Sequence, residues 1–201
     1  MTEYKKGSDV NIIKESAIRY GIKRYRGYTI EDYYALPEDT RAELIDGVLY
    51  DMASPSVRHQ DIAMQVSFQM VDYVNKKGGR CKVLQGPMDV QLDRDDKTMV
   101  VPDIIIVCDP EKVKEDRVTG GPDFVAEIVS PSSRKRDYAI KSGKYCGADV
   151  REYWVIDPEK DRVIVYDFEG DKPPAIYSMK EEVPVQIFGG ELKIRFPEFC
   201  P

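Results

Sequence analysis

Two apolar segments of the chain each carry one carboxylate, and a lysine follows the second. Residues 101–107 (VPDIIIV) place Asp103 before a strand-like run, and residues 123–129 (DFVAEIV) place Glu127 within another. A carboxylate at the edge of a buried strand is costly unless it is paired or binds a metal. Two of them at corresponding strand positions can hold a divalent cation such as Mg²⁺, and Lys141 could then orient or activate an attacking water.

The order of the motifs around these residues resembles a known family. Pro102-Asp103 followed by Glu127 is similar to the signature of the PD-(D/E)XK nucleases, the restriction-endonuclease-like superfamily. A longer set is similar to the putative-restriction-endonuclease domain family within it, over roughly residues 28–166. In chain order this set contains Glu43 with Asp46-Gly47, residues 54–59, 87–90, 102–103 and 127–132, Asp137 with Lys141 and Tyr145, and residues 152–158.

The resemblance implies a Mg²⁺- or Mn²⁺-dependent enzyme that hydrolyses phosphodiester bonds of DNA. Such a cation polarises the phosphate and lowers the pKa of a bound water. The catalytic residues that the resemblance implies are Asp103, Glu127, Lys141, Glu43 and His59. Asp103, Glu127 and Glu43 would bind the metal together with the backbone carbonyl of Ile128, and Asp137 and Tyr145 would support them.

The lysine departs from the superfamily pattern. An E-x-K motif would place it at position 129, where this chain has Val129, and Lys141 on the following helix is the matching position. A long, flexible amine can reach the same point from different backbone positions. The spacing alone also fits an ion pair between Asp137 and Lys141 on a solvated helix face, and Lys141 could equally form a buried ion pair with Asp103 or Glu127.

His59 is the only histidine of the chain and lies in the first turn of a predicted helix. Three positions before Ile62, it faces the core side, where it could approach a phosphate or a metal-bound water. A lone histidine is more often a structural hydrogen-bonding residue, so its role stays open at this point.

Hydrophobic periodicity predicts the elements that position these residues. Residues 42–46 and 48–52 form a hairpin around Asp46-Gly47, and the longest helix covers residues 56–76. A further helix, capped by Ser132 or Ser133, runs to about Cys146.

The order of elements predicts an α/β fold. It consists of a restriction-endonuclease-like core with a central mixed β-sheet flanked by helices, followed by a C-terminal β extension beyond residue 170. We assign residues 1–27 to an accessory segment, with a helix at 8–20, and residues 28–201 to the nuclease domain.

The net charge of −6 argues against nonspecific binding of nucleic acid by bulk charge. DNA binding would therefore depend on a local basic region. The most basic region follows the Glu127 strand and contains Arg134, Lys135, Arg136 and Lys144.

The four cysteines lie far apart and form no C-x-x-C pair, which makes a zinc ribbon improbable. We expect reduced thiols and a cytoplasmic protein. No stretch approaches the ~20 apolar residues that span a bilayer, so no membrane partner is expected.

Two alternatives remain open. The domain could be catalytically inactive and bind nucleic acid or a protein partner, since position 129 lacks the lysine and the chain is acidic. A phosphate-containing small molecule could also be the substrate. The expected partner is DNA, with a possible homodimer whose interface the C-terminal β extension could supply.

Overall fold

The computed structural model describes residues 27–37, 39–92 and 96–198. These fall into two compact units: the chain up to Met52 together with Asp95–Met99, and the remainder from Ala53–Arg94 and Val100–Pro201. The helix predicted at residues 8–20 lies outside the described residues. The predicted boundary after residue 27 stays a prediction.

The first unit contains a short helix, α1 (Ile30–Tyr34), and an antiparallel hairpin of β1 (Ala42–Ile45) and β2 (Val48–Asp51). The hairpin is confirmed at its predicted turn, where Asp46 and Gly47 both have positive φ angles of 50° and 72°. A small core of this unit consists of Tyr28, Ile30, Leu44 and Met99.

The longest helix of the second unit, α2 (Val57–Lys77), is confirmed almost as predicted. The Ser56 side chain accepts a hydrogen bond from the His59 N–H, and Gly78 ends the helix in the left-handed conformation. Its inner face buries Ile62, Ala63, Val66, Met70 and Val74. Val71 of the same helix is 39% exposed.

Three short strands lie between strands of the main sheet in chain order. Val90 and Gln91 of β4 (Val90–Gln91) run parallel to β7 (Val118–Thr119), and Met99 of β5 (Met99–Val100) pairs with Leu44 in the first unit.

A six-stranded mixed sheet forms the centre of the second unit and confirms the predicted fold class. Only β8 and β9 are parallel, and all other neighbours are antiparallel. The α2 helix packs on the sheet through a common apolar core. From one edge to the other the strands are β11 (Ala175–Tyr177), β10 (Arg162–Asp167), β9 (Glu152–Asp157), β8 (Phe124–Ile128), β6 (Ile104–Val107) and β3 (Lys82–Gln85).

The segment after β8 differs from the single helix that we predicted. It begins with a turn in which Ser130 and Ser133 hydrogen-bond each other, continues as a π-helix over Arg136–Lys141, and becomes α-helical only in α3 (Ser142–Gly147). π-Helical turns are rare and often occur at functional sites.

The C-terminal β extension is confirmed. After β11, the chain forms a two-stranded sheet of β12 (Val183–Pro184) and β13 (Lys193–Ile194), joined through a 3₁₀ turn at Gln186–Phe188. Val183 and Ile194 are fully buried in the core beneath α2. Within the described residues, no helix has the length and apolar character needed to cross a bilayer.

The expectation of reduced thiols is wrong for two of the cysteines. Cys81 and Cys108 form a disulfide over a sequence separation of 27 residues. The antiparallel pairing of β3 with β6 matches Lys82 with Val107. Cys81, which precedes Lys82, therefore lies opposite Cys108, which follows Val107. Cys146 is free and exposed. The cytoplasmic location stays a prediction.

Candidate active site

Asp103 immediately precedes β6, and Glu127 lies on β8, the antiparallel neighbour of β6. Ile104 of β6 pairs with Ala126 of β8, and continuing this register by one residue places Asp103 opposite Glu127. Asp103 itself comes one residue before the start of β6, and its contact with Nε2 of His59 places its carboxylate beside α2 at the end of the sheet. The neighbours of Glu127 on β8, Ala126 and Ile128, belong to the core under α2, so Glu127 projects from the other face.

The Asp103 carboxylate is held by two groups at a single oxygen. Its Oδ2 accepts a hydrogen bond from the Ile128 N–H at 2.7 Å and lies 3.1 Å from Nε2 of His59. Both contacts use Oδ2, so within the described part of the chain Oδ1 has no hydrogen-bond partner. The Asp103 side chain is 21% exposed.

The Glu127 carboxylate is almost fully buried and meets a lysine and a tyrosine. Nζ of Lys141 donates to its Oε1 at 2.8 Å, and the hydroxyl of Tyr145 donates to the same oxygen at 2.5 Å. Lys141 also lies 3.6 Å from Oδ1 of Asp137. The predicted shared face of Asp137, Lys141 and Tyr145 therefore converges on Glu127 as a buried cluster, and it is not a solvated helix surface.

A backbone contact fixes the Asp137 end of this cluster. The hydroxyl of Tyr153 on β9 donates to the carbonyl oxygen of Asp137 at 2.8 Å. The π-helical turn thus rests on the sheet directly beside Glu127. Nothing in the sequence indicated this contact, because Tyr153 sits in a buried strand and reads as a core residue.

Glu43 is fully buried on β1 and belongs to the first unit, whereas the other predicted catalytic residues belong to the second. Its predicted role as a metal ligand stays a prediction.

The carboxylate and carbonyl oxygens of the site supply part of what a divalent cation needs. Among the described residues, no three His, Cys, Asp or Glu side chains lie together as metal ligands. Asp103 and Glu127 nevertheless supply carboxylate oxygens. The Ile128 carbonyl belongs to the residue that follows Glu127, and the N–H of the same residue donates to Asp103. This set fits a Mg²⁺-like ion that keeps several positions for water and phosphate, and does not fit one enclosed by side chains alone.

The predicted basic region is partly used for ion pairs within the protein. The guanidinium of Arg134 contacts Asp157 at 3.2 Å and Glu159 at 2.7 Å, and these hydrogen bonds raise the pKa of Arg134. Lys135 is exposed, whereas Arg136 and Lys144 are half-buried. Of the four predicted DNA-binding residues, Lys135 is therefore the one most open to solvent.

Sequence reasoning missed Gly86 beside the site. Its N–H donates to the carbonyl of Asp103 at 2.8 Å, and a Cβ added to Gly86 would lie 2.5 Å from the carbonyl oxygen of Pro102. This close approach requires a glycine. The neighbouring Pro87 belongs to the motifs of the sequence analysis, and this proximity was the signal that could have identified the turn.

Comparison with known proteins shows that a solved structure has this architecture. A structure described as a putative nuclease belonging to DUF820 from Anabaena variabilis superposes with a TM-score of 0.69, at 20% sequence identity, covering 84% of this chain and 95% of that one. The two proteins share the fold.

Residues 30–195 match the model of the Uma2 family, described as putative restriction endonuclease, and the chain belongs to this family. An uncharacterized protein of Synechocystis sp., slr1290, is 27% identical over 117 residues. That alignment covers 57% of this chain and 58% of the relative, so this chain spans little more than half of that protein's length.

Proposed function

We propose that the chain is a Mg²⁺- or Mn²⁺-dependent endonuclease that hydrolyses phosphodiester bonds of DNA. The observation that carries this proposal is the two carboxylates at the adjoining ends of β6 and β8, with His59 against Asp103, Lys141 against Glu127, and the Ile128 N–H bonded to Asp103. Membership of a restriction-endonuclease family supports a nucleic acid as the substrate.

The proposed ligands of the cation are Asp103, Glu127 and the carbonyl of Ile128. A bound cation would polarise the scissile phosphate and lower the pKa of a bound water. Glu43 is proposed as a further ligand on the strength of the family resemblance alone.

The remaining residues of the site orient these groups. The Tyr145 hydroxyl and Lys141 both donate to Oε1 of Glu127, which fixes the direction of that carboxylate. The ammonium of Lys141, held beside Glu127, would also orient the attacking water or stabilise negative charge that develops on the phosphate. Asp137 also lies close to Lys141, with 3.6 Å between Oδ1 and Nζ. His59 orients Asp103 in the same way through Oδ2.

The DNA backbone is proposed to contact Lys135, Arg136 and Lys144. Arg134, which is paired with Asp157 and Glu159, would instead fix the turn that carries them. Release of counterions would make binding to a polymer weaken steeply with salt, whereas a small phosphate ester would show a much smaller effect.

The experiment is cleavage of supercoiled, linear and single-stranded DNA with Mg²⁺ or Mn²⁺. Asp103→Asn and Glu127→Gln keep the size of each side chain and remove its charge, and each should reduce the rate at least 100-fold. Asp116→Asn, on an exposed loop, is the matched control and should cut normally. Equal cutting by all four proteins would point to a contaminating nuclease and contradict the proposal.

The second candidate is a catalytically inactive domain that binds nucleic acid or a protein. It is favoured by the fact that both carboxylates already have structural partners, since Asp103 accepts from the Ile128 N–H and Glu127 pairs with Lys141. This candidate predicts salt-dependent DNA binding, or no DNA binding, without cleavage by the wild type under any cation condition.

A further inference from the structure

The α2 helix has a second apolar face that the fold does not cover. Val57, Met64, Phe68 and Val71 are 80%, 58%, 67% and 39% exposed. At 100° per residue these four side chains fall within an arc of about 60°, on the side opposite the buried face. Single exposed apolar residues are ordinary, but a continuous stripe of four marks an interaction surface.

The C-terminal extension packs beside this stripe and leaves it open. The Gln69 side chain exchanges two hydrogen bonds with the backbone of Arg195, at 2.8 and 2.9 Å. One turn further on, the hydroxyl of Tyr73 donates to Glu191 at 3.0 Å. Gln69 lies on the flank of α2 between the core and the stripe, and Tyr73 lies on the core side, so both contacts hold the extension away from the stripe.

The stripe is nearly symmetric about its own midpoint. Val57 and Val71 are centred on position 64, and Met64 and Phe68 are centred on position 66. Two copies of the helix that pack antiparallel around position 65 would therefore set Met64 of one copy against Phe68 of the other. Val57 would meet Val71 at each end of a contact about 21 Å long.

Two of the charged residues on one side of the stripe have the same symmetry, and Asp61 lies on that side as well. Arg58 and Asp72 are fourteen residues apart, lie on the same flank of the helix, and are centred on position 65. In a two-fold antiparallel pair of helices, each side of one helix faces the same side of the other copy. Arg58 of one chain would then face Asp72 of the other, which already has an ion pair with Lys76 in its own chain.

We propose that the outer face of α2 is a homodimer interface formed by two antiparallel copies of this helix. Apolar and charged residues point to the same centre independently, which favours a second copy over an unrelated partner. The interface is distinct from the C-terminal extension that the sequence suggested, and it does not depend on the proposed nuclease activity.

The first test is the mass of the full 201-residue chain by light scattering and sedimentation over a range of concentrations. The expected mass is twice the 23.0 kDa of one chain. Phe68→Glu should raise the dissociation constant at least about 30-fold, as loss of a central interface residue does. Ile176→Glu, which changes a 66% exposed residue on β11, is the matched control and should leave the dimer intact.

The second test addresses the antiparallel register. Arg58→Asp and Asp72→Arg should each weaken the dimer, and the double exchange should restore it, with circular dichroism as the check on folding. A wild-type chain that is monomeric throughout, including one whose stripe is covered by residues 1–26, would overturn the proposal. A dimer unaffected by Phe68→Glu, or a double exchange that fails to rescue, would overturn it as well.

Discussion

Glu127 is the residue on which both candidate functions depend. A carboxylate that is 4% exposed needs compensation for the loss of water, and Lys141 and Tyr145 supply it in the absence of a metal. The same two donors would fix the carboxylate in one orientation for a cation. The buried ion pair is therefore compatible with a catalytic site at rest as well as with a structural cluster.

Glu152 is a second buried carboxylate and provides a prediction about pH. It accepts hydrogen bonds from the Trp154 indole at 2.6 Å and the Ile187 N–H at 2.9 Å, but burial outweighs them and raises its pKa from 4.5 to about 7. Between these values the folded chain keeps a proton that the unfolded chain has released. Raising the pH through this window should therefore lower the contribution of Glu152 to the free energy of unfolding, by roughly 3 kcal/mol in total.

The measurement is urea unfolding of the wild type and Glu152→Gln from pH 4.5 to 8. The difference between the two proteins isolates this residue from the other groups that titrate. It should change by roughly 3 kcal/mol in favour of the variant as the pH rises. Glu198→Gln, at an exposed position, should show no such trend, and a constant difference for Glu152→Gln would contradict the assignment.

At the scale of elements, the turn before β4 positions Asp103. Gly86 approaches the Pro102 carbonyl so closely that Gly86→Ala would place a methyl group 2.5 Å from a backbone oxygen. We expect a loss of about 1–3 kcal/mol of stability, as overpacking usually costs, together with a displaced Asp103 and reduced cleavage. Gly79→Ala has no atom within 4 Å of the new methyl group and is the control.

Unfolding curves and cleavage rates of the two variants check this expectation. Equal stability and equal cleavage for Gly86→Ala and Gly79→Ala would mean that the turn can move without disturbing the site.

Capping residues and a turn motif in the sequence predicted the longest helix and the first hairpin. Ser56 and Gly78 bound α2 as capping residues do, and Asp46-Gly47 turns the first hairpin. The π-helical turn could not be predicted because its residues have no pattern that separates it from an α-helix. The Cys81–Cys108 disulfide was missed because strand pairing, which has no local signal, brings the two cysteines together.

At the scale of the whole molecule, the sequence predicted which residues would be near one another better than it predicted their contacts. Asp103 and Glu127 lie at the adjoining ends of β6 and β8, as the order of the motifs suggested, and Lys141 does reach Glu127 from the next helical segment. The pairing of Arg134 with Asp157 and Glu159 was not predictable, because it depends on how the turn after β8 packs against the end of β9. In a chain of net charge −6, this pairing leaves DNA binding to fewer basic residues than the sequence suggested.

The central claim is that Asp103 and Glu127 together hold a divalent cation, and titration of the full chain with Mn²⁺ tests it most directly. Electron paramagnetic resonance of free Mn²⁺ should reveal a site that both Asp103→Asn and Glu127→Gln abolish and that Asp116→Asn retains. Absence of binding, or binding that both site variants retain, would contradict the claim. The two carboxylates would then serve only the strand contact at Ile128 and the buried ion pair with Lys141.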